Sequence, residues 1–179
     1  MQPEHLVSSA LGGAHTTSKR PLRDVLQQYG HPAEDDSESP EYYWDSSFFD
    51  RNPEWLAHYN VERFFRDDLY DHTAAHAMQW RWLLMSGAQG GTRWHRDPYN
   101  ISAWNAVVVG RKLWAYYEHT HTRVPGLCDG LEAEETCGWA NLRWFRERMP
   151  QLPAEGEARP QLCVQDPGEI MFIPGGHWH

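Results

Sequence analysis

The sequence lacks several features that would place the protein in a broad class. It has three cysteines and no Cys-x-x-Cys pair, which indicates ordinary reduced thiols and not a disulfide framework. It has no apolar run near the ~20 residues that cross a bilayer. Its N-terminus has neither a signal-peptide core nor an Arg-rich transit pattern. We therefore expect a soluble, intracellular protein without membrane attachment.

Basic residues are also few. Lysine and arginine number 16 against 25 aspartates and glutamates, so the formal net charge is −9. That charge opposes tight nonspecific binding to phosphate backbones, although composition alone does not decide whether a local basic patch binds nucleic acid directly. A basic protein or peptide, such as a histone or splicing-factor tail, is the electrostatically favourable partner, and acidic residues such as Asp45 are expected to attract it.

Aromatic residues, in contrast, are abundant: the chain has ten tryptophans and is 40% hydrophobic, enough for a packed core. The polar residues 1–20 predict a flexible N-terminal segment, and residues 21–179 predict one domain. Helical spacing appears near 21–30 and 139–149, and residues 53–76 are predicted to be mixed helix and turn. The turn Gly110-Arg111-Lys112 predicts a hairpin between the runs on either side of it. Short strands are predicted near 42–44, 80–85, 92–97, 102–109, 113–117, 162–165 and 169–173, so the fold class is mainly β with flanking helices.

A candidate metal site begins with His95 and Asp97. Residues i and i+2 of a strand point to the same face, so this imidazole and this carboxylate project together. Two ligands are too few to hold a divalent ion, so a third ligand must come from a distant strand. Two histidines and one carboxylate are the facial ligand set of non-heme Fe(II) oxygenases, and they leave positions open for a chelating 2-oxo acid and dioxygen.

The surroundings of this pair resemble a known family. The runs Thr92–Pro98, Ser102–Ala106, Gly110–Trp114 and Asp166–Gly176 are similar to the JmjC domain of Fe(II)- and 2-oxoglutarate-dependent oxygenases. More narrowly, they resemble the phosphatidylserine-receptor-like subgroup of arginine demethylases and lysyl hydroxylases. The resemblance implies a double-stranded β-helix of the jelly-roll or cupin type. Because further strands follow the third ligand in that family, we expect this chain to be incomplete at its C-terminus, a fragment of a longer one.

The third ligand is a late histidine. His177 and His179 have the same parity, so strand alternation does not choose between them. In the family's pattern the ligand follows a Trp after the Gly-Gly pair, and that position matches His179. His177 stands where the family usually has another aromatic residue, which makes it a packing residue or a hydrogen-bond donor near the site.

Four further residues are expected at the 2-oxoglutarate site. Lys112 would be costly to bury unpaired, and the resemblance assigns it to the far carboxylate of the co-substrate. Asn105 is an amide inside an apolar strand and needs hydrogen-bond partners there. The resemblance also places Asn105, Thr92 and Tyr42 around this pocket.

The implied function is a dioxygenase that uses Fe(II), 2-oxoglutarate and dioxygen to act on a protein side chain. Lysyl hydroxylation and demethylation of methyl-arginine or methyl-lysine are both open. The alternatives are hydroxylation of a modified RNA base and a non-catalytic, cupin-like binding or regulatory protein. The resemblance also implies a nuclear location, with the cytoplasm as the alternative, while the sequence gives no oligomeric state.

Overall fold

The computed structural model describes residues 6–11, 14–19, 22–29, 42–60, 63–67, 81–122, 124 and 141–179. The chain divides into two compact units. One comprises residues 1–34 and 40–90, and the other comprises residues 35–39 and 91–179. The main division falls after Gly90. The single domain expected over residues 21–179 stays a prediction. No helix in the described part of the chain is long and apolar enough to span a membrane.

The first unit contains one antiparallel sheet of four strands in the order β2-β1-β3-β4. Two short α-helices and a 3₁₀ helix accompany it. The strands are β1 (Leu6–Leu11), β2 (Ala14–Lys19), β3 (Tyr42–Asp45) and β4 (Leu83–Ser86), and the helices are α1 (Leu22–Tyr29), α2 (Phe48–Arg51) and the 3₁₀ helix Pro53–His58.

Strands β1 and β2 lie within the stretch that the sequence predicts to be a flexible segment. They pair antiparallel in a register that runs from Leu6 opposite Lys19 to Leu11 opposite Ala14. These two strands were not predicted from the sequence, and the flexibility expected for residues 1–20 stays a prediction. The polar sequence of this stretch has no apolar strand pattern, whereas the ladder is formed by backbone hydrogen bonds.

Asp45, one of the acidic residues expected to attract a basic partner, is engaged within the first unit. Its side chain is only 5% exposed. It accepts a hydrogen bond from the backbone N–H of Ser47 (3.0 Å) and pairs with the guanidinium of Arg51. A carboxylate satisfied in this way stabilises the start of α2 and has little remaining capacity to attract a basic peptide.

The second unit contains two antiparallel pairs of strands, β5 with β8 and β6 with β7. All four strands were predicted, and the structure confirms them within a few residues. A helical segment near residues 141–151 accompanies them. The elements are β5 (Ala103–Ala106), β6 (Lys112–Tyr116), β7 (Gln161–Gln165), β8 (Ile170–Ile173), the 3₁₀ turn Pro98–Asn100, α3 (Asn141–Arg143), a π-helical turn (Trp144–Arg148) and the 3₁₀ turn Met149–Gln151.

Two predictions for this unit are wrong. The turn at Gly110 does not close a hairpin, because β5 and β6 pair with different partners and the connection crosses from one sheet to the other. Gly110 has φ +82° in this connection, a conformation that glycine adopts readily. The predicted strand near 92–97 is irregular apart from a single paired residue, His95.

The core of the second unit is aromatic. Trp144 is fully buried, and its ring meets Trp94 edge to face at a centroid distance of 4.9 Å. Trp94 also packs on Tyr117 (5.4 Å), and Tyr117 pairs through its backbone with Trp178. Ala115 and Val124 complete this buried cluster. Trp94, Ala115, Tyr117 and Trp178 point into this cluster, so on the extended backbone around them the adjacent residues point the opposite way.

Candidate metal centre

The backbones of His95 and His179 form a two-way hydrogen-bonded pair. Each N–H donates to the other residue's carbonyl at 2.9 Å. Residues opposed in this way on antiparallel chains direct their side chains to the same face. Because the neighbouring Trp94 and Trp178 point into the core, both imidazoles point away from it.

The turn before His179 brings it to this position. The N–H of His177 donates to the carbonyl of Pro174, and Gly176 has φ +76°. Gly175 packs so closely on the backbone of Asn100 that a Cβ atom would overlap its carbonyl oxygen. Two glycines are therefore needed for the chain to turn here and run back beside His95.

Three side chains converge on this face. One potential ligand atom from each of His95, Asp97 and His179 lies within 4.8 Å of the others. The Nε2 atom of His95 is 3.8 Å from Oδ1 of Asp97, and the two imidazole centroids are 4.2 Å apart. Metal–ligand bonds of about 2.1 Å put two ligands of one ion ~3–4 Å apart, so these spacings suit one divalent cation.

Both imidazoles have one nitrogen committed to the backbone. Nδ1 of His95 is 2.8 Å from the carbonyl oxygen of Arg93, and Nδ1 of His179 is 3.1 Å from that of His177. A carbonyl accepts only, so each Nδ1 donates its hydrogen and each Nε2 keeps its lone pair. Second contacts of this kind fix the tautomer and the ring orientation of histidine ligands.

Burial lowers the pKa of His179 to about 4. The nearby imidazole of His95 acts in the same direction, while the hydrogen bond to His177 and the charge of Asp97 oppose it. His179 is therefore neutral at physiological pH. A neutral imidazole is the form that binds a metal.

The alternative histidine lies elsewhere. The ring of His177 is 5.6 Å from that of His119, and His177 does not belong to the ligand cluster. Its Nδ1 atom is 3.3 Å from the carbonyl of Gly175. The structure thus brings His179 and not His177 to His95 and Asp97, which the shared parity of the two late histidines left open.

Lys112 lies on the first position of β6. Burial lowers the pKa of its ammonium to about 8. The ammonium nitrogen is 5.2 Å from the centroid of the Trp114 ring, and the same ring is 6.3 Å from the imidazole of His179. No carboxylate of the described residues forms an ion pair with Lys112. A partly buried cation without a counter-charge is a site for an incoming carboxylate.

Asn105 lies on β5, opposite Met171 of β8. Its side-chain oxygen is buried and has no hydrogen-bond partner among the described residues. Leaving such an acceptor unpaired costs ~1–3 kcal/mol, which a ligand or water with a donor hydrogen would recover. The side-chain amide of Asn105 was expected to need hydrogen-bond partners, and its oxygen is available to accept a hydrogen bond from a bound group.

Two other residues, Thr92 and Tyr42, were predicted to line the 2-oxoglutarate site. Thr92 is exposed and lies in the irregular stretch before His95. The backbone of Tyr42 lies on β3 opposite Ser86, but its side chain falls outside the described residues. The participation of Thr92 and Tyr42 in a 2-oxoglutarate site stays a prediction.

Sequence reasoning missed Trp114 and Gln165. Trp114 shares its strand face with Lys112, and Gln165 stands directly opposite Lys112 in the β6–β7 ladder. Gln165 is 2% exposed and hydrogen-bonds the indole N–H of Trp114. The available signal was a glutamine ending the apolar run Leu162–Val164, where a buried amide needs partners.

Comparison with known proteins agrees with this geometry. The family model described as "JmjC domain, hydroxylase" matches residues 82–179, more than half of the chain. The bifunctional arginine demethylase and lysyl-hydroxylase psr-1 of Caenorhabditis briggsae is 37% identical over 150 residues, covering 79% of this chain and 37% of that protein.

Two further relatives extend the comparison. The arginine-specific demethylase JMJ22 of Arabidopsis thaliana is 32% identical over 143 residues, covering 79% of this chain and 28% of that protein. The 2-oxoglutarate and iron-dependent oxygenase JMJD4 of Danio rerio is more distant, 26% identical over 100 residues, with 56% of this chain and 22% of that protein covered. The matched part of the chain thus spans 22–37% of the length of these relatives. The matched domain contains the paired histidines, Asp97 and Lys112, and the chain belongs to the JmjC family.

Proposed function

We propose that the protein is an Fe(II)- and 2-oxoglutarate-dependent oxygenase that acts on a protein side chain. The observation that carries the proposal is the convergence of His95, Asp97 and His179 from two separate stretches of the chain. The names of JmjC relatives, which include demethylase, lysyl-hydroxylase and 2-oxoglutarate and iron-dependent oxygenase, support it. We also propose that the fold is a double-stranded β-helix, because the chain belongs to the JmjC family.

The donor set suits the proposed ion. Two neutral imidazole nitrogens and one carboxylate oxygen would hold Fe(II) through His95, Asp97 and His179 and leave other positions open. Lys112 supplies a positive charge for the far carboxylate of 2-oxoglutarate, and the unpaired oxygen of Asn105 supplies a polar contact. A zinc hydrolase would use similar ligands, but it would have no need for Lys112.

With dioxygen, the bound iron and 2-oxoglutarate would supply the oxidising chemistry for hydroxylating a C–H bond. The protein's own contribution is positional. The carbonyls of Arg93 and His177 hold the two imidazoles in the ligating tautomer. The ammonium of Lys112 is partly buried and lies 5.2 Å from the ring centroid of Trp114. Water exclusion strengthens the attraction between this ammonium and a carboxylate.

The direct test measures succinate formed from 2-oxoglutarate with Fe(II) and a mixture of basic peptides. We expect His95→Ala and His179→Ala to abolish turnover. His177→Ala is the matched control, because it removes a nearby imidazole outside the ligand cluster, and it should retain activity. Unchanged turnover in His179→Ala would overturn the assignment.

The substrate class is a separate proposal: a lysine or methylated arginine or lysine in a basic protein, of the histone or splicing-factor kind. The net charge of −9 and the names of the relatives favour it. Mass spectrometry of lysine- and arginine-rich peptides distinguishes the reactions, since hydroxylation adds one oxygen and demethylation removes one carbon with two hydrogens. Oxidation of a modified RNA base, with no peptide change, would refute the protein-substrate proposal. Binding of peptide and cofactor without succinate would favour the non-catalytic alternative.

A nuclear location is proposed on the same grounds, since a histone or splicing factor would be met there. Imaging of the tagged protein tests it. Exclusion from the nucleus would contradict it and would favour the cytoplasmic alternative.

A further inference from the structure

The side chain of Gln165 joins three parts of the second unit. Its Oε1 accepts the indole N–H of Trp114 at 2.8 Å, and its Nε2 donates to the carbonyls of Asn105 and Glu169, each also at 2.8 Å. An indole N–H only donates and a carbonyl only accepts, so the orientation of the amide is determined by its partners. Gln165 is 2% exposed, so its amide is shielded from water.

These contacts surround the proposed 2-oxoglutarate site. The ring centroid of Trp114 lies 5.2 Å from the ammonium of Lys112 and 6.3 Å from the imidazole centroid of His179. The carbonyl that Gln165 binds on β5 belongs to Asn105, whose side-chain oxygen is buried and unpaired. One amide therefore holds both the ring beside the cation and the strand that carries the polar contact.

We propose that Gln165 is a positioning residue for 2-oxoglutarate, acting through Trp114 and the backbone of Asn105. This inference rests on the proposed function. Without the amide, the indole N–H of Trp114 would lose its acceptor, and the carbonyls of Asn105 and Glu169 would each lose one donor. The ring would then be free to move away from Lys112, and β5 would lose a tie to β7.

The first test uses the metal-free protein and needs no co-substrate. In Gln165→Met, which keeps the length of the side chain, we expect the indole N–H of Trp114 to exchange with solvent much faster than in the wild type. Indole NMR measures this, and Trp114→Phe assigns the signal. The matched control is Gln161→Met, because Gln161 is an exposed glutamine on the same face of β7 that contacts Tyr116. It should leave the exchange unchanged.

The second test measures binding of Mn(II), as a redox-inert substitute for Fe(II), and then of 2-oxoglutarate by calorimetry. Loss of a residue that orients a ligand contact costs about 10- to 100-fold in affinity. We expect Gln165→Met to weaken the binding of 2-oxoglutarate by that factor and to change the affinity for Mn(II) by less than about twofold. In turnover, the KM for 2-oxoglutarate should rise much more than kcat falls. In the Trp114→Phe background, the same change should cost much less, because part of the pathway is already lost.

The outcomes separate the two proposals. If the wild type with Mn(II) does not bind 2-oxoglutarate, the oxygenase proposal fails, and the indole exchange still decides whether Gln165 holds Trp114. Wild-type 2-oxoglutarate affinity in a folded Gln165→Met protein overturns the positioning role. Equal losses for Mn(II) and 2-oxoglutarate, or strictly additive effects with Trp114→Phe, would reduce Gln165 to a structural residue and also overturn it.

Discussion

Replacing Lys112 by methionine should stabilise the metal-free protein while removing 2-oxoglutarate binding. Burial lowers the pKa of Lys112 from 10.5 to about 8. At about 1.4 kcal/mol for each pKa unit, the folded state carries this charge at neutral pH at a cost of about 3 kcal/mol. The face of Trp114 offsets ~0.5–1 kcal/mol of that cost. Methionine has a similar length and no charge, so Lys112→Met should gain about 2 kcal/mol.

The pH dependence has a defined sign. Between pH 8 and 10.5 the unfolded chain holds the lysine proton and the folded chain does not, so stability rises with pH in this window. The advantage of Lys112→Met is therefore complete below pH 8 and declines toward zero near pH 10.5. Urea unfolding at pH 7 and pH 10 measures it. The chain has two lysines, so Lys19→Met, on β2, is the matched control for loss of one positive charge.

A gain in stability together with a loss of 2-oxoglutarate binding would show that Lys112 lowers stability in order to bind the co-substrate. Calorimetry with Mn(II) present should show no 2-oxoglutarate binding by Lys112→Met and normal binding by Lys19→Met. A Lys112→Met protein that is less stable than the wild type at pH 7 would show that the ammonium is not held at a desolvation cost. Retained 2-oxoglutarate binding would refute its role as the carboxylate partner.

Three further predictions follow from the site and its core. Asp97→Asn should lower Mn(II) affinity at least about tenfold in calorimetry, whereas Asp166→Asn, an exposed partner of Arg111, should not; equal affinities would exclude Asp97 as a ligand. In the metal-free protein, burial lowers the pKa of His179 to about 4. Between pH 6.5 and 4 the unfolded chain therefore binds a proton at this histidine and the folded chain does not. Because of this difference, the stability of the protein falls as pH falls through this range. His179→Gln should flatten the dependence in urea titrations, and an unchanged slope would contradict the assignment. Trp144→Ala, at a fully buried position, should cost about 3–5 kcal/mol of unfolding free energy, whereas Val108→Ala, at a 78% exposed position, should cost no more than ~0.5 kcal/mol; similar losses would contradict the placement of the core.

The sequence by itself predicted what depends on local spacing. Side chains two residues apart on an extended chain share a face, and this relation placed His95 and Asp97 together. Alternating and continuous apolar runs located β5, β6, β7 and β8. The choice of His179, and the roles expected for Lys112 and Asn105, came from resemblance to the JmjC domain.

The tertiary structure decided which distant segments meet. Parity is the same at His177 and His179, and only the backbone pairing of His179 with His95 separates them. A glycine turn is compatible with a hairpin or with a connection between sheets, and the pairing of β5 with β8 selects the second. The contact between Gln165 and Trp114 joins residues on two strands that are distant in sequence. Such contacts depend on long-range strand pairing, which local propensity does not encode.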